Sequence, residues 1–71
     1  MDLSLLLRMA ADAEPGRVGL TCDNIAIAYN KLGEREQARA FYERAAAAYA
    51  AALGPEHEET LRARERAARL A

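Results

Sequence analysis

The sequence predicts an all-α domain made of antiparallel helix–turn–helix units. Three observations carry this. Alanine supplies roughly a quarter of the 71 residues, against two prolines and four glycines, and alanine is the strongest helix former. Apolar residues recur at helical spacing between well-marked breaks. No stretch alternates apolar and polar residues over the length of a strand, so no sheet is expected.

The breaks fall near Pro15 and Gly16, at Gly33, and at Gly54 and Pro55. Glycine just past a helix suits a left-handed C-cap, and a following proline cannot continue the helix. About four helical segments result: Leu3 to Ala13, Gly19 to Leu32, Arg35 to Leu53 and Glu58 to Ala71. In the second, Cys22, Ile25, Ala26 and Tyr29 form one apolar face. In the third, Ala38, Phe41 or Tyr42, Ala45, Ala46 and Tyr49 do the same. The connection between them is only Gly33 and Glu34, which makes the two helices antiparallel neighbours. Ala26 and Ala38 let them approach closely, and Tyr29 and Tyr42 fill the gaps on either side.

Composition bounds the rest. The length allows one small domain, residues 1–71, near the lower limit for an independent core. Alanine buries little area, at about 25 cal/mol per Å² removed from water, so the core is thin and some outside surface is expected to complete it. The net charge of −1, from ten basic and eleven acidic residues, argues against nucleic-acid binding. The single cysteine, Cys22, points to a reducing compartment. Asp2 stands where a signal peptide wants positive charge, and no run approaches the ~18 apolar residues of a membrane span. A cytoplasmic chain is expected.

The chain also repeats on itself. A shift of 42 residues superposes its breaks, placing Leu7 on Tyr49, Ala10 on Ala52, Glu14 on Glu56 and Ala26 on Ala68. Such a period is a solenoid signature. Asn24, Ile25, Ala26, Tyr29, Gly33, Ala38, Tyr42 and Ala45 follow in order and spacing a pattern that resembles the tetratricopeptide repeat. The segment "LGPEHEETL" resembles the linker of the 42-residue version, found in kinesin light chains and many bacterial regulators. Glu58 replaces that linker's second proline, while Leu53, Gly54, Pro55, His57, Thr60 and Leu61 match it. The resemblance implies one complete repeat, about 19–60, between half repeats at 3–13 and 61–71. A lone repeat leaves faces uncovered. The chain therefore dimerises, or belongs to a longer array, or carries capping helices at its ends. The arginine-rich last helix fits a polar cap, whereas Leu3, Leu5, Leu6, Leu7 and Met9 exceed one buried stripe.

No catalytic motif is present: no phosphate loop, H-E-x-x-H, C-x-x-C or G-x-S-x-G. The chain is read as non-enzymatic, without cofactor or metal. His57 lies among Glu56, Glu58 and Glu59 and reads as a linker residue that hydrogen-bonds near the next helix start, rather than as an acid/base or metal group. Cys22 reads as a structural thiol, because no base activates it. Tyr29, Tyr42 and Tyr49 sit at helical spacing and read as core.

What remains is the inner face of the first helix of each pair, which in proteins that this chain resembles lines a concave groove for peptides or helices. Carried over by position, that face holds Leu20, Asp23, Asn24, Ile27, Asn30 and Lys31. Asn24 matches a position whose amide often bonds a ligand backbone, and an amide both donates and accepts. In the last helix, Arg62, Arg66 and Arg69 form one stripe, which suggests an acidic peptide. A solvated charged face is the competing reading of that stripe. The expected function is a protein-interaction module that binds a peptide or helix. The alternatives are a homodimerising helical module, or the repeat portion of a bacterial transcription regulator or signalling protein. Neither nucleic acid nor membrane is an expected partner.

Overall fold

The computed structural model describes residues 16–71. These form α1 (Arg17–Lys31), α2 (Arg35–Leu53) and α3 (Glu58–Arg69), and no strand occurs among them. The described residues thus hold three helices, and the fourth expected segment, Leu3 to Ala13, lies outside them.

α2 has the bounds that its apolar spacing predicts. α3 ends at Arg69 rather than Ala71. α1 begins two residues earlier than expected, because Gly19 is not a helix start. The chain turns instead at Gly16, whose φ of 87° is left-handed and whose carbonyl accepts from the Leu20 amide at 2.9 Å. Gly19 sits inside the helix, buried, and its role is packing. A Cβ there would lie 2.7 Å from the Tyr49 ring on α2. Glycine is the residue that lets the α1 backbone rest on that ring.

The two connections are closed by hydrogen bonds. After α1, the Glu34 amide donates to the Tyr29 carbonyl at 2.9 Å and the Gly33 amide to Asn30 at 3.1 Å, around a Gly33 φ of 79°. This is a Schellman motif, and it satisfies carbonyls that the helix end leaves open. Between α2 and α3, the Gly54 carbonyl accepts from the His57 amide at 3.3 Å and from the Thr60 hydroxyl at 2.8 Å. Thr60 is fully buried, so its hydroxyl ties the linker to the core. His57 caps α3 by accepting the Glu59 amide on Nδ1 at 3.1 Å, and Glu58 and Glu59 place negative charge on the positive end of that helix.

α2 packs on both α1 and α3. Its buried positions are Ala38, Tyr42, Ala45, Ala46 and Tyr49. They build two clusters. One joins Ala26, Ala38, Tyr42 and Ala67, with Ile27, Tyr29, Phe41 and Leu70 packed against it. The other joins Ala45, Ala46, Tyr49 and Ala63, with Cys22 and Leu53 alongside. Each cluster is one large ring among small residues, which brings the helix axes close. Tyr29 stacks on Phe41 at 5.6 Å between centroids, and the Arg44 guanidinium covers Phe41 at 4.9 Å. Of the expected α1 face, Ala26 is buried and Cys22 and Tyr29 pack against the clusters, whereas Ile25 is half-buried and belongs to neither; Gly19 and Asp23 are buried as well.

Two outcomes follow from the Tyr49 contact. Gly19→Ala should destabilise the domain by about 1–3 kcal/mol through overpacking, outweighing the roughly 1 kcal/mol that alanine gains over glycine inside a helix; urea unfolding followed by helicity measures it. Burial pushes the Tyr49 phenol above its ordinary value, aided by the negative charge of Asp23 and Glu59 and opposed by Arg66 and Arg62. The folded chain therefore holds this proton after the unfolded chain has lost it. The phenol's contribution is complete below about pH 10 and falls as pH rises beyond it. Tyr49→Phe should flatten that alkaline decline in the unfolding midpoint.

Candidate functional site

α1 presents three stripes. Gly19, Asp23 and Ala26 face the core. Leu20, Asn24, Ile27 and Lys31 follow at i, i+4, i+7 and i+11 and form a second stripe. Of these, Leu20, Asn24 and Lys31 are exposed, and Ile27 is half-buried against the Ala26 cluster. Ile27 is therefore partly a packing residue. Asn30 is exposed beside Lys31.

α3 lies next to α1, and side chains join them. Ala67 and Leu70 share the cluster of Ala26 and Ile27. One turn away, the Arg66 Nη1 donates to both oxygens of Asp23, at 3.1 and 2.9 Å. Asp23 is buried and Arg66 half-buried, so this pair is shielded more than an ordinary surface bridge. It fixes α3 against α1 and sets the floor of the face between them.

Arg62 and Arg69 flank Arg66 on α3, as their spacing requires, and both are exposed. Each meets a carboxylate of its own helix. Arg62 donates to Glu58 at 2.7 Å and to Glu59 at 3.3 Å, and Arg69 donates to Glu65 at 2.7 Å. The stripe of three arginines exists, but none of the three is an unengaged cation. Arg66 holds the fold. The exposed Arg62 and Arg69 pairs are worth about 0–1 kcal/mol each and exchange readily.

The role of Asp23 as anchor for Arg66 was not foreseen from the sequence. Its signal there is an acid set between Gly19 and Ala26, inside a stripe of small buried residues. Tyr29, Tyr42 and Tyr49 take core positions, with Tyr29 half-buried. Cys22 is half-buried beside the Tyr49 cluster. Among the described residues, no group of histidine, cysteine and acidic side chains is arranged to hold a metal. None of their helices is long and apolar enough to cross a membrane.

A second surface is an open groove of about 450 Å³ between α2 and α3, floored by Ala46, Ala47, Ala67 and Ala68 and edged by Glu43 and Arg64. None of the residues that line it belongs to the stripe of Leu20 and Asn24.

Neither the curated proteins nor the solved structures contain a match to the chain. A family profile described as tetratricopeptide repeat matches residues 18–59. That span covers α1, α2 and the linker with its Thr60-anchored turn nearly to the end. With more than half of the sequence matched and an antiparallel pair leading into a third packed helix, the chain belongs to the tetratricopeptide repeat family.

Proposed function

We propose that this repeat holds a segment of another protein, a helix or an extended peptide, across the face shared by α1 and α3, without catalysing a reaction. Repeats of this family are protein-interaction modules in general, which supplies the coarse class. The observation that carries the finer reading is the Leu20, Asn24, Ile27 and Lys31 stripe. Leu20 is 53% exposed on a stripe that the core uses only at Ile27. It is followed in register by an amide, a half-buried isoleucine and a lysine. Apolar anchors with interleaved polar groups suit an amphipathic helix laid in a groove.

The acidic preference rests on α3. Glu58, Glu59 and Glu65 neutralise Arg62 and Arg69 only through exposed pairs. A ligand carboxylate replaces such a partner at little net cost, because one exposed ion pair is traded for another. Arg66 contributes by holding α3 in place, not by reaching out.

The test is chemical-shift mapping of the full chain against a panel of acidic amphipathic peptides. Shifts should concentrate at Leu20, Asn24, Ile27, Asn30 and Lys31, with Arg62 and Arg69 on the opposite edge. Asn24→Ala should weaken a bound peptide about three- to tenfold, the worth of one hydrogen bond of about 0.5–1.5 kcal/mol, with helicity unchanged. Shifts confined to the alanine-floored groove of α2 and α3, or an affinity indifferent to Asn24, would overturn the reading.

A further inference from the structure

α3 carries a stripe that excludes its three engaged arginines. Leu61, Arg64, Ala68 and Ala71 follow at i, i+3, i+7 and i+10. All four are exposed, Leu61 at 50%. Arg64, Ala68 and Ala71 form the α3 side of the alanine-floored groove, and Leu61 extends the same stripe past Arg64 toward the linker. Glu43 and the exposed Ala47 stand on the α2 side. The groove thus has walls of opposite charge over a floor of methyl groups.

Those charges are not committed to the fold. Arg62, Arg66 and Arg69 each hold a carboxylate, whereas Arg64 makes no ion pair among the described residues. Glu43 has an exposed contact of 3.8 Å with Arg39 and does not pair with Arg64 across the groove. Bare small residues alone do not name an occupant. Two loosely held charges of opposite sign, one on each wall, do.

Such a surface is complementary to itself. Tyr42 clusters with Ala67, and Tyr49, later in α2, clusters with Ala63, earlier in α3, so α2 and α3 run antiparallel. A two-fold axis along the groove lays α2 of one copy over α3 of the other and preserves the direction of each helix. Every facing pair is then antiparallel, with opposed dipoles. Each Glu43 meets the partner's Arg64, and the contact occurs twice. An axis across the groove would instead place like charges together. We infer that the chain forms a two-fold dimer through the α2–α3 groove, with Glu43 against the partner's Arg64 and the alanine floors closing on each other. Facing methyl groups let the helices approach to the lower end, about 8 Å, of ordinary interaxial distances. A foreign protein would have to match both the spacing and the charge order, which a second copy supplies by symmetry. The dimer uses none of Leu20, Asn24, Ile27 and Lys31, so this inference and the peptide reading can fail separately.

The test is sedimentation of the full chain at low salt, from micromolar to millimolar concentration, with helicity followed in parallel. The native chain should associate to a dimer. Glu43→Arg and Arg64→Glu each set like charges at both contacts, and each alone should raise the dissociation constant at least about tenfold. Both positions are exposed on helices, so helicity should stay at the native level. An equal mixture of the two variants regains opposite charge at both contacts and should dimerise as the native chain does. A native chain that stays monomeric throughout overturns the inference. So does a variant that dimerises unchanged, or a mixture that stays monomeric, which is what a pairing through any other face would give.

Discussion

The contact on which the rest of the molecule depends is the Tyr49 ring against the bare backbone at Gly19. The ring approaches to a distance that no side chain at Gly19 would permit. It therefore sets how near α1 comes to α2. The same ring shares a cluster with Ala63, so it also seats α3. Tyr42 performs the equivalent task two turns earlier, against Ala26 and Ala67. Two rings in a bed of alanine make a core whose geometry is specified by a few contacts rather than by bulk. Small residues bury little area, so close approach and dispersion between well-fitted atoms carry more of the stability than they would in a leucine-rich bundle.

That geometry decides what the surfaces do. With the spacing of α1 and α2 set by Tyr49 and Tyr42, Asp23 is carried inward to where Arg66 reaches it. α1 is then divided among three tasks. One stripe is spent on the core, one carries exposed Val18 and Leu32 about a half-buried Ile25, and one mixes a leucine, an amide, an isoleucine and a lysine. The division follows from 3.6 residues per turn and from which stripe has residues small enough to meet a ring. Charge follows the same logic: the arginine that is half-buried is structural, and the two that are exposed lie over the open face.

Much of this was legible in the sequence. The five buried positions of α2 were readable because its small and aromatic residues recur on one helical face with charged residues between them. The turn at Gly33 was readable because little but glycine adopts a left-handed φ at a helix end. The phase of α1 was harder. Ile25 and Ala26 are adjacent, and hydrophobicity favours the isoleucine, whereas the approach of a ring selects the alanine and the glycine a stripe away. Size complementarity across an interface is a property of two helices and does not show in the periodicity of one. The arginine stripe was legible as a stripe, but its neutralisation was only half legible. Glu58 with Arg62 and Glu65 with Arg69 are i, i+4 pairs that spacing alone reveals. Asp23 with Arg66 joins residues on two helices, and only the fold brings them together.

The cap on α3 has a consequence for the lone histidine. Because its Nδ1 accepts the Glu59 amide, the lone pair on that nitrogen is committed to the helix. The neutral ring must then carry its proton on Nε2, which fixes one tautomer of the two. A ring held this way has its acceptor on the helix and its N–H donor on Nε2. Three glutamates surround it in sequence, yet its chemistry is spent on starting a helix. To become a base or a ligand through Nδ1, His57 would first have to let the first turn of α3 go.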